Sequence, residues 1–123
     1  IIHSHAPYST ALSIAKVPIG PIVDEFIPFV GGCNVAEFGM AGSDQLAENA
    51  VNALGGNYAV FIANHGNVCC GKDMENAWTV SQLVEQTAKT QFLASMYGTI
   101  YALPEDAEEE EREIFDIMKE MRD

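Results

Sequence analysis

The chain has 123 residues, of which 48% are hydrophobic, and a formal net charge of −12. This length suits one domain, the apolar content is enough for a packed core, and no apolar run is long enough to cross a membrane. Ten acidic and three basic residues lie between Glu105 and Asp123, so −7 of the charge falls in these last nineteen residues. This balance argues against nucleic acid and anionic membranes as partners, because binding either requires Lys and Arg.

The cysteines Cys33, Cys69 and Cys70 do not suggest a disulfide framework. Their number is odd, two of them are adjacent, and none belongs to a C-x-x-C pair. We therefore predict a reducing, cytoplasmic compartment. The opening "IIHSHAPYST" has neither an initiating Met nor the basic region of a signal peptide. We expect the sequence to begin inside a domain, at the end of a strand.

The first part of the chain predicts a helix, an irregular segment, a helical turn and a strand. Pro7 suits a first helical turn, whereas "KVPIGPI" is interrupted three times by Pro or Gly. In "VDEFIPFVGG" we expect a short helical turn that ends at Gly31 and Gly32. In "CNVAEF", apolar residues such as Val35 and Phe38 alternate weakly with polar ones, which predicts a strand.

The middle of the chain predicts a helix followed by two strands. In "GSDQLAENAVNALGG", Ser43 or Asp44 can cap the helix and the two glycines can stop it. Its apolar residues recur at helical spacing: Leu46, Ala50, Val51 and Leu54. The continuous apolar run "YAVFIANHG" predicts a buried strand, and "NVCCG" predicts a second short strand after a turn at Gly66.

The last part of the chain predicts two helices. Asp73 can cap a helix that runs from Met74 to Tyr97. Its expected core-facing residues are Ala77, Val80, Val84, Ala88, Gln91 and Ala94. In the acidic helix "EDAEEEEREIFDIMKEMRD" we expect residues 108–111 to form a solvated face, and one side to carry Ile114, Phe115, Ile117, Met118 and Met121. Strands that alternate with helices predict a layered α/β domain.

The three histidines of the chain form a candidate metal site. His3 and His5 project from the same face if the segment is extended, and His65 stands at the end of a predicted buried strand. A zinc-like ion accepts imidazole nitrogens at about 2 Å, and three protein ligands with one open position are the catalytic pattern. The pair could instead be ordinary surface residues, and His65 could be a core histidine. A rival site would combine His65 with Cys69 or Cys70.

Two neighbours of His65 allow alternative interpretations. Asn64 either orients a metal ligand or only forms the turn, and Gly66 provides either a close approach of backbone or a positive φ. Helical glutamates such as Glu48 and Glu85 are expected to be solvated or to cap helices.

Three segments carry a family resemblance: "IIHSHAPYSTALSIA", "GSDQLAENAVNAL" and "VFIANHGNVCCGKDMENAWTVSQLVE", in this order, with H-x-H preceding a helix and N-H-G preceding "GKDMENA". Together they resemble the class II aldolase/adducin family, in particular its L-fuculose-phosphate aldolase-like members. The resemblance covers residue 1 to about Tyr97. It implies a three-layer α/β/α sandwich with a mostly antiparallel central sheet, here as an incomplete domain. Residues 1–123 would be the C-terminal portion of a single domain, with an acidic helical tail at 104–123 and an exposed sheet edge near Ile1.

The resemblance also implies a function. His3, His5 and His65 would hold Zn2+ or another divalent metal, and the enzyme would cleave a sugar phosphate such as L-fuculose 1-phosphate into dihydroxyacetone phosphate and a short aldehyde. The acid/base glutamate of the family lies upstream of these residues, so no catalytic residue is assigned here. Family members usually form tetramers, so the resemblance implies a homotetramer. The alternatives are a sugar-phosphate epimerase or dehydratase on the same scaffold, or a non-catalytic adducin-like binding module. The chain departs from the family in one segment. Fuculose-phosphate aldolases have a tyrosine after the first helix that reaches a neighbouring subunit's site, whereas the comparable "PIGPIVDEFIPF" contains no tyrosine. The exact sugar is therefore left open.

Overall fold

The computed structural model describes residues 1–122. Four strands lie within these residues: β1 (Ile2–Ser4), β2 (Cys33–Ala36), β3 (Ala59–Ile62) and β4 (Gly66–Cys69). The same described residues contain five helices: α1 (Pro7–Ala15), α2 (Phe26–Val30), α3 (Asp44–Leu54), α4 (Met74–Tyr97) and α5 (Glu105–Arg122). The strands and helices predicted from the sequence are therefore all found. None of the described helices is both long and apolar enough to span a bilayer.

The four strands form one sheet in the order β1-β4-β3-β2. The pairs β1–β4 and β4–β3 are antiparallel, and β3–β2 is parallel. The predicted mostly antiparallel sheet is thus confirmed. Strand β1 is an edge strand that pairs with β4 alone among the described residues, and Ile1 beside it is 82% exposed. This placement agrees with the exposed edge expected near Ile1.

Helices cover both faces of the sheet. Cys33 belongs to the same buried core as Val84 of α4, whereas the next residue, Asn34, donates a hydrogen bond of 3.1 Å to the carbonyl oxygen of Ala53 in α3. Because successive strand residues point to opposite faces, α3 and α4 lie on opposite sides. Helix α1 packs with α4, and α5 packs on α2. The predicted three-layer α/β/α arrangement follows.

The helix ends follow local chemistry that the sequence makes visible. Pro7 occupies the first turn of α1. The Ser43 and Asp73 side chains accept hydrogen bonds from backbone N–H groups at the starts of α3 and α4. These bonds satisfy N–H donors that have no partner within the helix. Helix α2 ends at Gly31, whose φ of 88° is a conformation that suits glycine.

Several predicted core positions are wrong. Val51 of α3 is 67% exposed, and Phe38, which was expected in a strand, lies after the end of β2 and is 55% exposed. Ala94 is exposed together with the other residues from 92 to 97, because the packed part of α4 ends at Gln91. In α5, Phe115 is the one buried residue of the predicted apolar set. A helical pattern predicts which residues share a side, but not how far the neighbouring layer extends.

Glu111 contradicts the predicted solvated face at 108–111. Its side chain is buried, and its Oε2 atom has no hydrogen-bond partner among the described residues. Burial and, to a smaller extent, the acidic neighbours Asp24, Glu110 and Glu25 together raise the pKa of the Glu111 carboxyl to about 7. The protonated form of Glu111 is therefore favoured in the folded chain.

We expect Glu111→Gln to remove a pH dependence of stability. A carboxyl group whose pKa is higher in the folded than in the unfolded chain stabilises the fold below its unfolded pKa, and this contribution is lost as the pH rises through about 7. The free energy of unfolding of the wild type should thus fall, relative to that of the variant, between acidic and mildly alkaline pH. Denaturant titrations at several pH values measure it. Glu109→Gln, at an exposed position of the same helix, is the control, and equal pH slopes in the wild type and Glu111→Gln would contradict the assignment.

Candidate metal centre

Strand pairing brings the three histidines to one end of the sheet. Ser4 of β1 lies opposite Asn67 of β4, so His5, which follows Ser4, lies beside Gly66, which precedes Asn67. His65 is the last residue of the turn that joins β3 to β4, directly before Gly66. The antiparallel register therefore places the H-x-H segment against the Asn-His-Gly turn, although about sixty residues separate the two in sequence.

Gly66 permits the close approach of these two segments. A Cβ atom at this position would lie 2.2 Å from the Ser4 carbonyl oxygen and 3.2 Å from the Cα atom of His5. The φ of Gly66 is not positive, so of the two alternatives predicted for this glycine the close approach of backbone is correct. The positive φ in this turn belongs to Asn64, at 61°, a value that Asn adopts more readily than most residues.

The imidazole rings converge on one point. The ring centroids are 5.0 Å apart for His3 and His5, 4.9 Å for His3 and His65, and 4.9 Å for His5 and His65. The Nε2 atoms of His3 and His5 are 3.2 Å apart, and one nitrogen of each ring lies within 4.8 Å of those of the others. His3 and His5 are exposed and His65 is half-buried, so the cluster opens to solvent.

Two further features concern the protons of the rings, the tautomer of His3 and the pKa of His65. The Nδ1 atom of His3 lies 2.7 Å from the carbonyl oxygen of Asn67. A carbonyl only accepts, so Nδ1 carries a proton, and in the neutral ring the lone pair is then on Nε2, which lies toward His5. Burial lowers the pKa of His65, and the proximity of His3 and His5 lowers it further. Neutral imidazoles with free lone pairs are the form that ligates metal ions.

Comparison with known proteins gives the family. Residues 1–92 match the profile of the class II aldolase and adducin N-terminal domain. The chain belongs to the class II aldolase and adducin family. The family resemblance stated from the sequence is thereby confirmed.

The relatives of this class II aldolase family member include both aldolases and decarboxylases. An L-fuculose phosphate aldolase of Escherichia coli is 30% identical over 105 residues, which are 84% of this chain and 46% of the relative. A 3-oxo-tetronate 4-phosphate decarboxylase of the same species is 29% identical over 98 residues, 76% of this chain and 46% of the relative. The solved structure of an L-fuculose 1-phosphate aldolase has a TM-score of 0.85 at 32% identity, covering 93% of this chain and 54% of that one. The chain thus spans about half the length of these relatives.

A buried amide, Asn67, lies beneath the cluster and was not singled out by the sequence analysis. Its side chain accepts a hydrogen bond of 3.0 Å from the Ser4 hydroxyl and donates one of 2.9 Å to the Ser9 hydroxyl. Its backbone carbonyl oxygen accepts a hydrogen bond from Nδ1 of His3. Asn64, which the sequence offered as an orienting residue, is exposed and forms the turn. Asn67 could have been found only by pairing β1 with β4.

Glu85 of α4 caps helix α1, one of the two roles expected for it. Its Oε1 atom accepts from the Ser9 N–H at 2.8 Å and from the Ser9 hydroxyl at 2.9 Å, and its Oε2 atom accepts from the Tyr8 N–H at 3.0 Å. A carboxylate at this position also interacts favourably with the helix dipole. Both oxygens of Glu85 are therefore occupied by structural hydrogen bonds.

The rival site of His65 with a cysteine is not formed among the described residues: of their His, Cys, Asp and Glu side chains, the three histidines are the group close enough to share a metal ion. Cys69 is buried, and burial raises its pKa to about 12, so the thiolate that a metal requires is disfavoured. The Cys70 Sγ atom lies 3.5 Å from the carbonyl oxygen of Tyr58. Both cysteines therefore belong to the packing of the domain.

We expect Gly66→Ala to destabilise the fold and to displace His5. The added methyl group would overlap the Ser4 carbonyl, and because that atom is backbone, β1 and β4 must separate. Overpacking of this kind costs about 1–3 kcal/mol. Denaturant unfolding measures the loss. Gly20→Ala is the matched control, because a Cβ atom at Gly20 meets nothing within 4 Å and its φ is not positive. Equal losses for the two variants would refute the steric explanation.

Proposed function

We propose that His3, His5 and His65 hold a divalent cation, with Zn2+ as the expected ion, and that the protein uses it to cleave a carbon–carbon bond in a sugar phosphate. The observation that carries the proposal is the convergence of three imidazoles at one open position, with ring centroids 4.9–5.0 Å apart. Three nitrogen ligands with a solvent-facing fourth position match catalytic rather than structural zinc sites.

The donor set fits such an ion. Three neutral imidazoles bring no charge of their own, and imidazole nitrogen is a preferred ligand of zinc. A divalent cation bound there keeps its full positive charge and, as a Lewis acid, supplies stabilisation for negative charge that develops on substrate oxygens beside the breaking bond. The chain itself supplies the ring orientation, through the hydrogen bond from His3 to the Asn67 carbonyl, and leaves the fourth position accessible.

The acid/base group is proposed to come from a part of the protein outside this chain. Glu85 cannot serve, because both of its oxygens already accept backbone or hydroxyl hydrogen bonds at the start of α1. The cluster of His3, His5 and His65 contains no carboxylate. The family resemblance places a glutamate upstream, so proton transfer is assigned to that segment and no catalytic residue is assigned within these residues.

The aldolase reaction is the best-supported activity, with L-fuculose 1-phosphate as a representative substrate. Relatives named as L-fuculose phosphate aldolase and as 5-deoxy-D-ribulose 1-phosphate aldolase cover 84% and 86% of the chain. Decarboxylation is the second candidate, because relatives named as 3-oxo-tetronate 4-phosphate decarboxylases match at 29% and 33% identity. Epimerase and dehydratase activities would use the same ligands. An adducin-like module without metal would not require the three convergent rings.

A homotetramer in the cytoplasm completes the proposal. Its support is the family resemblance, the free edge of β1 and the exposed apolar residues on the last turns of α4, among them Phe92, Leu93 and Met96. Such residues are suited to subunit or segment contacts.

We expect the purified protein to bind about one divalent ion per chain, as a single three-histidine site requires. His65→Ala should weaken zinc binding by more than about 100-fold, since loss of an outer hydrogen-bonding partner alone costs up to about that much. Chelator competition measures the affinity. Asn64→Gly is the control, because it removes a neighbouring side chain but retains the positive φ of the turn. Equal zinc affinity of His65→Ala and the wild type would rule out the site.

The reaction is tested on the full-length protein. Dihydroxyacetone phosphate released from L-fuculose 1-phosphate, followed with a coupled dehydrogenase, is expected in the wild type and should fall at least about 100-fold in His65→Ala, the scale of a lost electrostatic stabiliser. Carbon dioxide release from a 3-oxo sugar-acid phosphate is measured in parallel. Carbon dioxide without aldol cleavage would replace the aldolase by the decarboxylase, and neither product in a metal-loaded protein would overturn both.

A further inference from the structure

A chain of hydrogen bonds, buried at its centre and partly buried at its ends, connects the strand that carries His3 to the helices behind the sheet. It runs from the Ser4 hydroxyl to Asn67 Oδ1, from Asn67 Nδ2 to the Ser9 hydroxyl, and from the Ser9 hydroxyl to Glu85 Oε1, at 3.0, 2.9 and 2.9 Å. Asn67 and Ser9 are completely buried. The four residues belong to β1, β4, α1 and α4, so the Asn67 amide links β4 to β1 and α1 and, through Ser9, to α4.

The directions of these bonds are mutually consistent. Glu85 only accepts, so the Ser9 hydroxyl donates to it and accepts from the Asn67 amide nitrogen. The amide orientation of Asn67 is thereby fixed, and its oxygen must accept from Ser4. Connected buried bonds polarise and strengthen one another, and a partner left unpaired in such a place is costly. The charge on Glu85 therefore helps to determine how Asn67 is held.

The backbone and the side chain of Asn67 serve opposite faces of the sheet. The side chain points with that of Ser4 toward α1 and α4, because the two residues are paired across the strands. The adjacent His3 projects from the other face, since strand side chains alternate. The backbone carbonyl of Asn67 accepts the hydrogen bond from His3 Nδ1–H on one face. The hydrogen bonds of the Asn67 side chain on the opposite face thus restrain the position of this carbonyl.

We propose that Asn67 is a positioning residue for the metal centre. Its carbonyl selects the Nδ1–H tautomer of His3 and directs Nε2 toward the cation, and its side chain, anchored by Ser4, Ser9 and Glu85, keeps that carbonyl and the start of the His5 segment in place. The inference rests on the proposed metal site. Outer partners of ligating histidines typically change metal affinity by about 10–100-fold.

The test uses Asn67→Leu, which has a similar volume but cannot form the hydrogen bonds, and the milder pair Ser4→Ala and Ser4→Thr. Ser4→Ala removes the hydroxyl that bonds Asn67, and Ser4→Thr restores one in a residue that strands favour. Gln91→Leu is the matched control. Gln91 is a buried amide on α4 that donates to the Pro18 carbonyl, away from the histidines. It should lose stability without a change at the cluster.

Two readouts are taken. In the metal-free protein, long-range nitrogen–proton NMR spectra at alkaline pH report the tautomer of each ring. The wild type and Gln91→Leu should show His3 as Nδ1–H, and Asn67→Leu should show a mixture. Zinc affinity by chelator competition should fall about 10–100-fold in Asn67→Leu, less in Ser4→Ala, and recover in Ser4→Thr.

The outcomes separate this inference from the proposed function. If the wild type binds zinc but Ser4→Ala and Asn67→Leu keep both the wild-type tautomer and the wild-type affinity, the positioning role is wrong and the metal site stands. An Nε2–H tautomer of His3 in the wild type would also overturn it. If the wild type binds no divalent ion, the proposed function fails, and with it the positioning role. If Asn67→Leu does not fold, the Ser4 pair decides by the same criteria.

Discussion

The antiparallel pairing of Ser4 with Asn67 is the constraint on which the candidate site depends. A slip of one residue would move every β1 side chain to the opposite face, so that His3 would enter the core and Ser4 would face solvent. Three observations fix the register: the side-chain hydrogen bond between the paired residues, the hydrogen bond from His3 to the Asn67 carbonyl, and the lack of a Cβ atom at Gly66. The site is consequently a property of strand register more than of any single loop.

The two faces of the sheet divide the tasks of stability and chemistry. On one face, Cys33, Phe61 and Cys69 join the buried core with α4. On the other face, His3 stands exposed beside a turn that brings His65 to the same point. The packed and hydrogen-bonded layer on the α4 side of the sheet supports the three histidine rings, and it leaves their other side open to solvent. Since β1 contains only three residues, its anchoring by Asn67 and by the α1 start compensates for a short ladder.

The sequence predicted those features that depend on local chemistry. Period-two alternation predicted that His3 and His5 share a face, and the apolar run before Asn64 predicted a buried strand that ends at the turn. The caps at Ser43 and Asp73 were visible for the same reason. Asn67 was missed because its importance arises from partners far away in sequence. Glu111 was misjudged because α2 and the loop before it cover one residue of an otherwise solvated acidic run.

The three histidines alone do not distinguish among the reactions of the family, and the reason is chemical. Aldol cleavage and decarboxylation both break a bond next to a carbonyl group and both leave negative charge on the same oxygen atoms, so one cation answers both needs. What differs is the fragment released. In aldol cleavage a substrate hydroxyl must give up its proton as it becomes the aldehyde carbonyl, whereas decarboxylation releases carbon dioxide from a carboxylate. The group that accepts this hydroxyl proton therefore determines which of the two reactions is catalysed. In the part of the chain that the structure describes, Glu85 is committed to capping α1 and the cluster holds no other carboxylate. Under the proposed function, neither the three histidines nor Glu85 therefore decides between the two reactions.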